Sequence, residues 1–399
     1  MKSSFRPLLL LLAGMLLVHP PVQSQTHRPG HILTGADQIE KYLPLLKGAN
    51  VAIFANQTAT VGPSHLVDTL LKAGIHISKI FSPEHGFRGD ADAGEHVNSA
   101  VDPKTGIPII SLYGSKRKPS AADLEGVDIM LFDIQDVGVR FYTYISSLQE
   151  YLESAIENHR PLIILDRPDP NGSYVDGPVL DKKFKSFVGM QPIPTVYGMT
   201  IGEYAKMLIG EHWLDTAADA AAAGFKLTII PCKNYTHHSR YILPVKPSPN
   251  LPNMQAIYLY PSLCLFEGTA ISLGRGTDKP FQQFGHPSFP KTLYHFTPAS
   301  LPGAKNPPLL NQTCYGYDLS NTNVTKNKLS LHWIIQAYKL FPDKEHFFLA
   351  NNFFNRLAGN DTLQQQIKDG LTEDQIRQSW QPSLNNFKTI RKKYLLYAE

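Results

Sequence analysis

The chain has 399 residues, more than one ordinary core requires, and its 42% hydrophobic and 18% charged residues describe a globular chain and exclude a disordered protein, a coiled coil and a polytopic membrane protein. A formal net charge of +4 over this length gives no basis for nucleic-acid binding, because no basic run exceeds three residues, Lys116-Arg117-Lys118 being one of that length. Three cysteines, Cys232, Cys264 and Cys314, are too few for a disulfide framework and lack metal-ligand spacing. Either one pair bridges in an oxidising compartment or all three are buried core thiols.

Residues 1–24 have the layout of a secretory signal peptide: Lys2 and Arg6 supply charge, Leu8 to Val18 is an apolar run, and His19-Pro20-Pro21 breaks it ahead of Ser24. The run is about half of the roughly 20 residues a spanning helix needs. The expectation is therefore a periplasmic or secreted protein, with no stable membrane anchor after cleavage.

From residue 50 onward short β-branched runs alternate with amphipathic segments. Strands are expected at Val51 to Ala55, Ile77 to Phe81, Ile107 to Leu112, Val127 to Phe132 and Leu162 to Leu165, with helices around Leu66 to Leu71 and Ile145 to Ile156. Near-continuous apolar strands separated by helices predict an α/β domain, a Rossmann-like doubly wound parallel sheet, over residues 31–245. Past the proline-rich stretch 243–252 the alternation fades. Residues 246–399 are expected to form a smaller C-terminal α+β domain closing a cleft, with shaped loops over 250–283. Helices are expected at Trp333 to Leu340 and Leu384 to Leu395, and a short one after the Thr372/Gln375 capping box.

Polar residues cluster where strands end. Asn56, Glu84, His85, Asp133, Asp136, Asp166 and Arg167 all follow apolar runs, and in a doubly wound sheet those ends share the ligand-binding edge. In Ser82-Pro-Glu-His-Gly-Phe-Arg-Gly, Glu84 is the candidate general acid/base and His85 a group that adjusts its proton affinity. A rival reading makes a metal site of His85, Asp90, Asp92, Glu95 and His96, although their spacing matches no standard motif. In Asp133-Ile-Gln-Asp-Val-Gly-Val-Arg-Phe-Tyr-Thr-Tyr144, Asp133 is the stronger functional candidate. Asp136 and Arg140 could pair and hold one another, the structural alternative to a site role for Arg140, and Tyr142 offers a hydrogen bond and an apolar face for stacking on a sugar ring. Asp166-Arg-Pro-Asp-Pro-Asn-Gly172 reads equally as a site or a rigid turn. No nucleophile elbow, Walker loop or dinucleotide fingerprint occurs, and no cofactor is expected.

These strings, with Asp176-Gly-Pro-Val-Leu180 and Glu267-Gly-Thr…Gly274-Arg-Gly-Thr277, resemble the exo-β-N-acetylmuramidases of the NamZ type, formerly grouped as a domain of unknown function. The likeness runs from about residue 45 to the C-terminus. It implies a glycosidase that removes non-reducing terminal N-acetylmuramic acid from peptidoglycan-derived saccharides, built from a Rossmann-like domain and a smaller C-terminal domain. The family's acidic residue falls on Glu84. Glycosidases usually need a second carboxyl group, for which Asp133, Asp136, Asp166 and Glu267 compete, and the substrate's own 2-acetamido group is a further alternative. Asn56, Arg140, Tyr142, Asp166, Glu267 and Arg275 are candidate substrate-binding residues. Arg275, flanked by glycines, is the expected reader of the lactyl carboxylate, with Arg140 next. A metal-dependent hydrolase using the His85–His96 cluster and a non-catalytic periplasmic sugar-binding protein are the competing function classes.

Overall fold

The computed structural model describes residues 30–84, 86–87, 100–324 and 328–399. The expected signal peptide, His85 and the proposed metal cluster from Asp90 to His96 lie outside the described residues. The architecture that follows is that of Ile32–Glu399.

Helix α1 (Ile39–Leu46) leads into strand β1 (Asn50–Ala55), followed by a small hairpin of β2 (Thr60–Val61) and β3 (Ser64–His65) and by α2 (Leu66–Lys72). Strands β4 (His76–Ser82), β5 (Ala100–Val101), β6 (Pro108–Ser111) and β7 (Ile129–Asp133) precede the long helix α3 (Tyr144–Glu157). Then come β8 (Leu162–Leu165), α4 (Ile201–Gly210), α5 (Thr216–Ala221) and β9 (Leu227–Ile230). The central sheet has the order β5-β6-β4-β1-β7-β8-β9. All its pairings are parallel except the β5–β6 edge, where Ala100 faces Ile109. Setting that edge aside, the order runs third, second, first, fourth, fifth, sixth, which is the doubly wound pattern expected of the sequence.

The period of two along each strand sorts the core into two layers. Ala52, Phe54, Phe81 and Phe132 point to the side covered by Leu148, Tyr151 and Leu152 of α3. Val51, Ile53, Ile80 and Leu131 point to the other, against Tyr42 of α1 and Leu66 and Leu70 of α2. Each Val, Leu, Ile or Phe side chain so removed from water contributes about 1.5–3 kcal/mol. Edge strand β5 and strand β9 escaped the sequence reading. The first is a two-residue element, and the second follows an alanine-rich stretch with only Leu227, Ile229 and Ile230 as apolar signal.

The C-terminal part carries α6 (Met254–Leu263), strands β10 (Gln283–His286), β11 (Tyr294–Phe296) and β12 (Cys314–Asp318), then α7 (His332–Leu340), α8 (Phe353–Ala358), α9 (Thr362–Lys368) and α10 (Glu373–Arg391). The strands form an antiparallel sheet of order β10-β12-β11. Phe284 stacks on Phe266 and Tyr317 with centroids 4.8 and 5.3 Å apart. Two expectations are corrected here. The 250–283 segment is not all loop, because the Asn253 side chain caps α6 by accepting from the Ala256 amide, and this helix is buried nearly all round, so it shows no amphipathic period. The Thr372/Gln375 box opens no short separate helix; it starts α10, which runs through Pro382 to Arg391. All three cysteines are free and buried. Asp176 of the Asp-Gly-Pro string is a clamp between distant segments: it accepts from the Leu329 amide at 2.8 Å and from Arg377 of α10 at 2.6 Å.

Candidate active site

Strand β4 ends at Ser82, and a Pro83-to-Gly86 turn projects Glu84 from the sheet edge. The Gly86 amide donates to the Pro83 carbonyl at 3.1 Å, and Gly86 adopts φ 74°, a conformation that glycine takes without a Cβ penalty. Glu84 reaches a cleft of about 460 Å³, within the range of small-ligand sites. Its walls are aromatic: Tyr113 after β6, Tyr142 and Tyr144 after β7, Tyr260 of α6, and Phe281. Tyr142 packs edge-on against Tyr144 at 4.7 Å and Tyr260 at 5.9 Å, and Tyr260 against Phe281 at 4.9 Å, so the wall is continuous. The Tyr142 hydroxyl donates to the Pro247 carbonyl at 2.9 Å, which leaves its ring as the surface offered to a ligand.

Tyr113 donates to Glu84 Oε1 at 3.0 Å. Burial, and then the charge of Glu84, push the Tyr113 phenol above its ordinary range, so it stays a donor. Glu267 lines the same cleft. Arg275 donates to its Oε1 from Nε at 2.8 Å and from Nη2 at 2.5 Å, while the Cys264 thiol sits 3.6 Å from Oε2. Glu267, Arg275 and Phe353 also border an adjoining cavity of about 890 Å³ that extends past Ile271, His286 and Pro307. The two cavities thus meet at one ion pair.

Several nominated residues sit behind this cleft, where they hold the sheet edge together. Asp133 ends β7 fully buried, and Arg167 from the end of β8 takes both its oxygens at 2.6 and 2.8 Å. Burial pushes its carboxyl upward and Arg167 opposes the shift. Asn56 is also sequestered: its Oδ1 accepts from the Thr58 amide and hydroxyl at 2.9 and 2.6 Å, and its Nδ2 donates to the Tyr144 hydroxyl at 2.8 Å. Asp166 accepts from Thr200, the Gly202 amide and Tyr397 at 2.7, 2.9 and 2.6 Å. Burial nevertheless raises it to about 6. The crevice at the order reversal, where a doubly wound sheet usually binds its ligand, is therefore filled by the chain's own polar side chains, and the open cleft lies toward β4 and β6.

Asp136 and Arg140 do not pair with each other. Arg140 is wholly buried and donates to the carbonyls of Pro178, Ile193 and Leu357 at 2.8–2.9 Å, and burial lowers its guanidinium to about 9. It ties the 178–193 loop to α8 and does not line the cleft. Asp136 accepts instead from the Gly138 amide at 2.7 Å and from the Tyr197 hydroxyl. Burial raises Asp136 to about 6. Gly138 is obligatory, since a Cβ there would lie 2.1 Å from Asp169 Oδ1.

So the cleft brings together Glu84, Tyr142, Glu267 and Arg275 from the nominated set, and leaves Asn56, Asp133, Arg140 and Asp166 outside its lining. Tyr113, Arg117, Tyr144, Tyr260 and Phe281 were not nominated. Tyr113 follows a strand just as Glu84 does, so the same strand-end argument applied to β6 points to it. Among the described residues no group of three or more His, Cys, Asp and Glu side chains is arranged to hold a metal ion.

Residues 51–255 match the family model for the N-terminal part of exo-β-N-acetylmuramidase NamZ, and residues 258–397 match the model for its C-terminal part. The chain belongs to the NamZ exo-β-N-acetylmuramidase family. It is 38% identical to the peptidoglycan β-N-acetylmuramidase NamZ of Bacillus subtilis (strain 168), over 95% of this chain and 94% of that protein. Two crystal structures of DUF1343 family proteins from Bacteroides fragilis NCTC 9343 share the fold, each covering 92% of this chain and 99% of its own length. Their TM-scores are 0.85 and 0.79, at 49% and 27% identity. A glycosidase assignment agrees with the geometry, since membership in this family and an aromatic cleft holding two glutamates point the same way.

Proposed function

We propose that this protein is an exo-acting β-N-acetylmuramidase that releases non-reducing terminal N-acetylmuramic acid from peptidoglycan fragments, with Glu84 as general acid/base. One observation carries the assignment of roles. Of the five carboxylates the sequence nominates, Glu84 and Glu267 line the aromatic cleft, and Asp133, Asp136 and Asp166 do not. Aromatic rings present flat apolar faces to a pyranose, and the two glutamates offer groups with different surroundings.

The surroundings divide the labour. Glu84 sits on a turn, partly open to the cleft, with one oxygen steadied by Tyr113. It delivers a proton to the glycosidic oxygen as the bond to the leaving sugar breaks, and where the 2-acetamido group has attacked first it then takes one from the water that opens that intermediate, whereas in direct attack by water Glu267 takes that proton. Glu267 is fixed on Oε1 by two hydrogen bonds from Arg275, a geometry suited to a stationary negative charge near a developing oxocarbenium ion. Attack comes either from water activated on that side or from the substrate's 2-acetamido group. The residue 1–24 layout supports export and a periplasmic or extracellular site of action, and no described helix is long and apolar enough to cross a membrane.

The test is direction-specific. Purified protein is incubated with the disaccharide carrying muramic acid at its non-reducing end and with the isomer carrying N-acetylglucosamine there, and products are identified by mass spectrometry. Release of free N-acetylmuramic acid from the first alone is expected. Binding of the first without turnover would replace the enzyme reading with that of a sugar-binding protein.

A further inference from the structure

Muramic acid differs from N-acetylglucosamine by a lactyl ether that ends in a carboxylate, so a selective cleft needs a cation to meet it. Two described arginines line the cleft, Arg275 and Arg117. Arg275 is committed: its Nε and Nη2 both donate to Glu267. A second carboxylate brought to it would face Glu267 as a like charge.

Arg117 is placed differently. It belongs to the basic run 116–118 on the loop after β6, and the structure separates the three cations. Lys116 pairs with Asp123 at 2.6 Å, and Lys118 pairs with Glu157 and Asp215 at 2.7 and 2.6 Å. Arg117 alone of the three lines the cleft. Among the described residues it makes no ion pair, although the Glu150 carboxylate is near enough to feel its charge. Its guanidinium lies over the Phe187 ring, 4.2 Å from the centroid. Stacking of this kind holds the guanidinium plane while leaving its N–H edge for a carboxylate, which a planar fork can bind through two hydrogen bonds. Phe187 is itself held, since its carbonyl accepts from the Ser146 hydroxyl at 2.8 Å. Four residues before Arg117 on the same loop is Tyr113, the partner of Glu84. The loop after β6 therefore carries both the residue that steadies the acid and the available cation.

We propose that Arg117 receives the lactyl carboxylate of the terminal muramic acid residue and sets the preference for that sugar over N-acetylglucosamine. This rests on the muramidase reading above. The test compares kcat/KM of wild type, Arg117→Ala and Arg117→Lys on a muramic acid glycoside and on the same glycoside with its lactyl carboxylate converted to the amide. Wild type is expected to prefer the acid. Arg117→Ala should lose about ten- to a hundredfold on the acid, the range of a hydrogen bond to a charged group, chiefly through KM, and little on the amide. Arg117→Lys should recover part of the loss on the acid. Equal losses on both substrates, or an undiminished preference for the acid in Arg117→Ala, would overturn the role of Arg117 while leaving the muramidase reading intact. Absence of wild-type turnover on either glycoside would overturn both together.

Discussion

Tyr113 donates its hydroxyl hydrogen to Oε1 of Glu84 across 3.0 Å, joining the loop after β6 to the turn after β4. Both side chains line the cleft, so the bond orients the carboxyl group that faces a ligand. Removing the hydroxyl takes away a hydrogen bond without changing the ring that forms the wall.

Tyr113→Phe should therefore lower kcat about tenfold or somewhat more, the effect of losing a hydrogen bond to a charged group, with KM and thermal midpoint nearly unchanged. Steady-state kinetics and a melting curve on the same preparation check this. A matched fall in stability would mean that Tyr113 serves the fold and does not position Glu84.

Glu267 and Arg275 should behave as one unit. Glu267→Gln and Arg275→Ala remove opposite ends of the same contact, so their combined loss in kcat/KM should fall well short of the sum of the single losses. A double-mutant cycle measures the difference, and a coupling of about 0.5–3 kcal/mol is the range for residues in direct contact. Strict additivity would place the function of Arg275 elsewhere.

Asp136 provides a pH-dependent prediction. Its folded-state value of about 6 lies above the 3.8 of an ordinary aspartate, because burial outweighs the Tyr197 and Gly138 hydrogen bonds. The folded protein thus binds a proton more readily than the unfolded chain between about pH 4 and 6, and stability lost at this residue grows as pH rises through that window and is complete above it. Asp136→Asn keeps an acceptor for Tyr197 and carries no charge. Its stability relative to wild type should improve by up to a few kcal/mol between pH 4.5 and 7.5. Denaturant unfolding at the two pH values measures it; a difference that stays constant would show that Asp136 does not titrate there.

The strand-and-helix alternation was legible because the central strands β1, β7 and β8 are buried on both faces and read as near-continuous apolar runs, and β4 keeps Ile77, Ile80 and Phe81 around Ser78 and Lys79. Helix α6 was not, because burial on every side removes the periodic contrast that betrays a surface helix. At the site, the strand-end argument located Glu84, but it gave Asp133 and Asp166 the same standing. What separates them is long-range: Arg167, 34 residues after Asp133, closes on it, and Tyr397, 231 residues after Asp166, closes on that one. Nothing local to either aspartate signals those partners. The partners of Arg140 are equally remote. Asp136, four residues away, is the partner that local spacing offers, whereas the hydrogen bonds of Arg140 go to three carbonyls, the farthest 217 residues along the chain.

The role of Glu84 as proton donor is tested most directly by Glu84→Gln assayed on two muramic acid glycosides, one with a sugar leaving group and one with an activated phenol. A general acid contributes about 10²–10⁴-fold, and most of that to leaving groups that cannot depart unprotonated. The predicted result is a loss in that range on the sugar glycoside, a much smaller loss on the activated one, and an unchanged fold. Loss of equal size on both, or activity within a few-fold of wild type on the sugar glycoside, would contradict it.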